Sequence, residues 1–198
     1  MSALPPVSHL LYLHGFRSSP ESAKARIMAA RVARDHPDVH WWCPQLPPSP
    51  REAMAMLVHG TADWPSARMA VVGSSLGGYY ASWLAEQRGC KAVLLNPAVF
   101  AARDLARQVG THPLWHDPAQ HIAFTTEHVD ELRALQCAGM ADPSRYFLIA
   151  AKGDAVLDWR DMVQRYPQVH LRLLEHSDHG LSDFEDHLDA VLQFLDLV

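Results

Sequence analysis

Three residue types that can supply a nucleophile, a base and an orienting acid occur in the order Ser75, Asp154, His179 along this chain. Ser75 lies at the centre of Gly73-Ser74-Ser75-Leu76-Gly77, a Gly-x-Ser-x-Gly turn. The turn follows an apolar run, Met69–Val72, and leads without a spacer into a helical pattern of Tyr79, Tyr80, Trp83 and Leu84. A strand that turns directly into a helix leaves one side chain at the tip in a strained conformation. Glycines two residues either side keep it clear of the neighbouring strand and helix. Ser74 does not fit the frame, because Val72 and Leu76 occupy its flanking positions. The alternative is a Gly/Ser turn without chemistry, and the position between strand and helix argues against it.

A serine hydroxyl attacks a carbonyl only when a base takes its proton. His179 lies in Glu175-His176-Ser177-Asp178-His179-Gly180, just past an apolar run and before a helix with Ser182 or Asp183 as its expected N-cap. His176 competes for the role, but it sits closer to the strand it leaves, and Gly180 lets the chain turn sharply at His179. A structural role is the commoner fate of any one of the 13 histidines. The base in turn needs a carboxylate to fix its tautomer. Asp154, in Ala151-Lys152-Gly153-Asp154, follows another apolar run. Asp158 is the alternative, better suited to capping the next helix, and Asp178 is too close to its neighbour His179 to orient it. The fourth component is an oxyanion hole. Leu11–Phe16 ends in a His14-Gly15 turn, and the backbone N–H of Phe16 with that of Leu76 could converge on a developing oxyanion.

These residues need elements to position them. Short apolar runs at His9–Leu13, Val39–Cys43, Met69–Gly73, Lys91–Leu95, Tyr146–Ala151 and Val169–Leu174 read as strands covered on both faces. They alternate with helical patterns at Glu21–Arg34, Arg51–Trp64, Leu76–Arg88, Asp158–Tyr166 and Phe184–Leu195. Such alternation predicts an α/β fold, a doubly wound, mostly parallel sheet of about six strands, with ligands bound beyond the carboxyl ends of the strands. Every candidate residue falls at such an end. Between Ala98 and Asp142 no strand is expected, only helical pieces (Ala101–Val109, Glu127–Leu135) around a His- and Pro-rich middle. An excursion of that length reads as a helical lid inserted at about 98–142 into a single domain spanning 1–198. Two packing helices away from any ligand are the plainer alternative.

The 198 residues are 48% apolar and 20% charged, the composition of a globular chain. A net charge of −5 disfavours nucleic acid or an anionic membrane as partner and favours a small-molecule substrate. Cys43, Cys90 and Cys137 are odd in number and far apart, as expected of reduced thiols in a reducing compartment. No signal-peptide pattern or membrane span is recognisable, so the cytoplasm is the expected location. His112, His116, His121 and His128 are interrupted by Pro113 and Pro118, so no metal is expected on them, nor any cofactor elsewhere. Trp41-Trp42, Tyr79-Tyr80 and Trp83 read as core and pocket wall.

Several stretches together carry a family resemblance: Leu11–Phe16, Ser18-Ser19-Pro20, Pro44-Gln45-Leu46-Pro47-Pro48, Gly73–Tyr80, Asn96-Pro97-Ala98, Gly153-Asp154 through Asp158, and Phe184-Glu185-Asp186. In order and along nearly the whole chain, they resemble the YqiA-type esterases, small bacterial members of the α/β-hydrolase superfamily. The resemblance implies a serine hydrolase of carboxylic esters with Ser75 as nucleophile, Asp154 as acid and His179 as base. It also implies a minimal sheet that begins at the strand bearing His14. Thioesters such as acyl-CoA are the neighbouring substrate class, with Arg17, Lys24 and Lys152 as the few cations near the mouth. A catalytically silent scaffold used for binding is the competing class.

Overall fold

The computed structural model describes residues 6–197. Six strands form one wholly parallel sheet: β1 (His9–Leu13), β2 (His40–Trp42), β3 (Met69–Ser74), β4 (Lys91–Leu95), β7 (Tyr146–Ala151) and β8 (His170–Leu174), in the order β2-β1-β3-β4-β7-β8. Four of the five crossovers carry one α-helix each, α1 (Ala23–Asp35), α2 (Pro50–Gly60), α3 (Leu76–Arg88) and α6 (Trp159–Arg165), and α7 (Leu188–Phe194) closes the chain. Residues alternate across the pleat. In β1, Leu11 and Leu13 face a core shared with α2, α3 and α6, whereas Leu10 and Tyr12 face one shared with α1 and α7. All four are fully buried, and each of the three leucines contributes about 1.5–3 kcal/mol of transfer free energy.

Strand register puts the working loops on one edge. Leu13 pairs with Gly73, Ser74 with Leu95, and Ala151 with Leu174, so the segments starting at His14, Ser75, Asn96, Lys152 and Glu175 leave the sheet side by side. The two turn glycines have separate reasons. A β-carbon at Gly73 would collide with Gly77 and Ala81 of α3, and one at Gly77 would collide with the Leu13 carbonyl of β1. Helix α3 therefore packs against its own strand and the next one only because both positions lack side chains.

Several boundaries differ from the sequence expectation. Helix α2 stops at Gly60, which lies against the Trp42 ring, and Thr61 closes the turn with its hydroxyl on the Leu57 carbonyl. The final helix opens as a 3-10 turn over Phe184–His187. Asp183 precedes that turn without capping it, its carboxylate accepting instead from Ser177 and, through His187, from the helix side.

The larger correction concerns residues 98–142. No strand is expected there, yet a β-hairpin forms, β5 (Gly110–Pro113) against β6 (His121–Phe124), antiparallel. It lies between α4 (Ala101–Leu105), extended by a 3-10 turn at 106–108, and α5 (Thr126–Ala134). Both strands are only four residues long, β5 is polar with Pro113 inside it, and the apolar part of β6 is just Ile122–Phe124, shorter than the runs by which the main strands are recognised. Two contacts anchor the far end of the segment. Tyr79 Oη donates to the Leu132 carbonyl at 2.7 Å, and Glu131 accepts from Ser49 Oγ (2.8 Å) and the Arg51 amide (3.1 Å) at the start of α2.

Candidate active site

Ser75 occupies the turn between β3 and α3 with φ 55° and ψ −119°, a conformation unfavourable for any residue with a β-carbon. The turn is held by Ser75 N–H on the Leu95 carbonyl (3.0 Å) and by Gly78 N–H on the Ser75 carbonyl (2.9 Å). Its hydroxyl has no hydrogen-bond partner among the described residues and is partly open to solvent. The turn at Gly15 comes close, since a β-carbon there would stand 3.8 Å from Ser75 Oγ.

On the same edge His179 Nδ1 lies 2.7 Å from Asp154 Oδ2. The Asp154 side chain is fully buried and that of His179 is 27% exposed. A carboxylate that accepts from Nδ1–H leaves Nε2 bare as a proton acceptor. The other carboxylate oxygen, Oδ1, accepts from the Val156 and Leu157 amides at 2.8 Å each, so both oxygens are engaged and the carboxylate is fixed. The competing residues go elsewhere. His176 is exposed, Asp158 caps α6 by accepting from Arg160 N–H at 2.9 Å, and Asp178 accepts from the Ser182 amide.

The Phe16 and Leu76 amides donate no hydrogen bond to any described residue, the condition for an anion-binding pair. His14 braces this turn. Its Nε2 accepts from the Leu46 amide at 3.1 Å, so its proton sits on Nδ1, which donates to the Gly15 carbonyl at 2.9 Å. Burial lowers the His14 pKa, against the opposing pull of the Gly15 carbonyl, and keeps the ring neutral. Leu46, in the Pro44–Pro48 stretch between β2 and α2, thereby holds the His-Gly turn.

Sequence reasoning missed Asn96. This residue is fully buried with φ 42°. Its Oδ1 accepts from the Ala151 amide at 2.8 Å, and its Nδ2 donates to the Asp178 and His179 carbonyls at 2.9 and 3.1 Å. Its sequence signals are an asparagine at a strand's carboxyl end followed by proline, and a place among the stretches that carry the family resemblance. The four middle histidines do not assemble. His112 bonds the Gln108 carbonyl, His121 the Ala119 carbonyl, and His128 completes the capping box of α5 with Thr125.

Beside the Gly15–Phe16 turn lies a cavity of about 310 Å³. Its walls include Phe16, Leu46, Pro48, Met56 and Leu76, with Tyr80 also contributing, as expected of part of the Tyr79-Tyr80 pair. Leu114, His116, Gln120 and Ile122 of the hairpin form its roof.

A parallel sheet with a strained serine between its third strand and third helix, and a His–Asp pair on the same edge, defines an α/β-hydrolase fold of the serine-hydrolase type. Within that class the chain belongs to the Uncharacterised protein family (UPF0227), which it matches over residues 9–196. Solved structures share the fold at low identity. Tomato methylketone synthase I, complexed with 2-tridecanone, superposes with a TM-score of 0.69 at 14% identity, covering 96% of this chain and 98% of that one. A metagenome-derived lipolytic enzyme gives 0.67 at 20% identity, covering 96% and 95%. An esterase of Pyrococcus furiosus gives 0.65 at 16%, covering 98% and 83%. No helix among the described residues is long and apolar enough to cross a membrane.

Proposed function

We propose that the protein hydrolyses carboxylic esters of small molecules through an acyl-enzyme, with Ser75 as nucleophile, His179 as base and Asp154 as the orienting acid. The observation that carries this reading is the 2.7 Å bond from His179 to a buried, fully engaged Asp154, on the same sheet edge as a strained serine. Lipolytic and esterase relatives of the fold agree with it, while methylketone synthase I is a reminder that a shared fold does not fix the reaction.

Ser75 Oγ attacks the ester carbonyl carbon as its proton passes to His179 Nε2. The carbonyl oxygen becomes an oxyanion held by the Phe16 and Leu76 amides. The C–O bond to the alcohol then breaks, and the alcohol leaves with the proton from His179. Water attacks the acyl-serine, gives its proton to His179, and the tetrahedral intermediate collapses to the carboxylic acid as Ser75 recovers that proton. Asp154 stays ionised throughout and stabilises the imidazolium.

Thioesters would pass through the same steps. Lys152 is paired with Glu175 at 2.6 Å and Lys24 donates to the Gly180 carbonyl, so neither lysine is offered to a phosphate-rich leaving group. We also assign residues 98–142 as a cap on a single hydrolase domain, with the hairpin as the part over the pocket. The three free thiols accord with a cytoplasmic location.

The test is turnover of a short-chain p-nitrophenyl ester by wild type and Ser75→Ala. A loss of several orders of magnitude is expected, together with fluorophosphonate labelling of wild type only. Equal rates, or labelling of both, would refute the assignment.

A further inference from the structure

The 310 Å³ cavity has a direction relative to the reacting atoms, and this sets which part of a substrate enters it. Its lining includes Gly15, Phe16 and Leu76, but no residue of the Asp154 loop or of the 175–180 loop. A leaving alcohol must face His179, which supplies its proton, and the carbonyl oxygen must face the Phe16 and Leu76 amides. The remaining substituent on the carbonyl carbon is the acyl chain. At about 30 Å³ for each water-sized group, the cavity holds an acyl chain of about ten non-hydrogen atoms.

The charge of the lining is the second observation. In a chain of 22 acidic residues and net charge −5, no aspartate or glutamate lines this cavity, whereas Arg17, His14 and His116 do. His14 is spent on Leu46 and Gly15, as described above. Arg17 is not spent. Its Nε donates to the Pro113 carbonyl at 2.8 Å, and its guanidinium lies 3.9 Å over the Trp115 ring. Among the described residues, its two terminal nitrogens have no hydrogen-bond partner and no carboxylate pairs with it. The residue is also held with φ 62°, fixed by Trp115 N–H on its carbonyl at 3.0 Å. A guanidinium braced on both its backbone and its ring face, with its outer fork free, presents the planar pair of donors that matches a carboxylate.

We propose that the substrates are esters of short acyl chains that end in an anion, with the acyl chain in the 310 Å³ cavity and its terminal carboxylate on Arg17. This rests on the hydrolase reading above and narrows it to half-esters of short dicarboxylic acids and compounds of the same charge pattern.

The test compares kcat/KM for the p-nitrophenyl monoesters of glutarate and adipate with that for p-nitrophenyl pentanoate and hexanoate. It uses wild type, Arg17→Gln and Arg17→Lys, and all preparations are titrated with a fluorophosphonate. Wild type should favour the anionic ester of each pair, and Arg17→Gln should lower that preference about tenfold or more, with Arg17→Lys between them. Because the ratio is taken within each variant, general loosening of the hairpin lowers both rates and leaves it unchanged. A wild type that turns over both esters without preferring the anionic one overturns this proposal alone, as does a preference that Arg17→Gln leaves intact, whereas one that turns over neither ester overturns the hydrolase reading as well. A wild type that is neither active nor labelled overturns the hydrolase reading, and this proposal with it.

Discussion

Asn96 holds the backbone of His179 directly, Nδ2 donating to the His179 carbonyl at 3.1 Å while Oδ1 accepts from Ala151 N–H at 2.8 Å. The residue before Asn96, Leu95, accepts the Ser75 amide. One short segment at the end of β4 thus ties the serine turn, the strand leading to the aspartate and the histidine loop together.

Replacing Asn96 by Asp keeps its shape but turns a carboxylate oxygen toward two carbonyls. We expect kcat to fall about 100-fold with little change in KM, as for a small misplacement of a reacting group. The downfield NMR signal of the His179 Nδ1 proton should weaken or broaden. A purely structural role would lower stability while leaving that signal and kcat per folded molecule unchanged.

His14 predicts a pH dependence. Burial, opposed by the Gly15 carbonyl, puts its folded-state pKa below the ordinary histidine value of 6.5. Between those two values the unfolded chain binds more protons than the folded one, so stability rises with pH through that window. The contribution is complete above pH 6.5 and is lost as pH falls through the folded pKa. His14→Gln should flatten this dependence in urea titrations from pH 5 to 7. His14→Ala should cost about 1–3 kcal/mol for the unpaired Leu46 amide and Gly15 carbonyl.

Lys24 behaves in the same direction at higher pH. Burial brings its ammonium down to about 8, although Asp178 and Asp154 oppose the shift. The unfolded lysine keeps its proton to near pH 10.5, so wild type should gain stability relative to Lys24→Met as pH rises from 8 to 10.5. Paired denaturation curves at pH 7.5, 9 and 10 would show it, and a constant difference would contradict it.

Glu131 anchors the 98–142 segment to α2. Burial alone would raise its carboxyl, but bonds from Ser49 and the Arg51 amide, with the Arg51 guanidinium, outweigh it and hold the pKa below the ordinary range. That stabilisation is complete above pH 4.5 and is lost as pH falls through the folded value. Glu131→Ala should cost about 1–3 kcal/mol through the stranded Ser49 and Arg51 donors; little of that comes from the ion pair itself, because Arg51 is 69% exposed. Hydrogen exchange should quicken in α5 and the first turn of α2, with the central strands unaffected.

Much of the frame was legible in the residues alone. The six strands, the serine turn and the order Ser75, Asp154, His179 all follow from apolar runs and glycine spacing, because strand-to-helix sterics and burial on both faces act over a few consecutive residues. The hairpin at 110–124 was not legible. Its strands are brief, with Pro113 inside the first and only three apolar residues in the second, and they are held by their mutual pairing and by Arg17, nearly a hundred positions away. The roles of Asn96 and His14 were equally hidden, since a buried amide or imidazole takes its meaning from the carbonyls and amides that packing brings to it. Local sterics set which side chains stand at the carboxyl edge of the sheet. Only tertiary packing decided which of them meet, which tautomer they hold and what charge the cavity presents, because those depend on partners far apart in sequence, such as Arg17 and Pro113 at a separation of 96 residues.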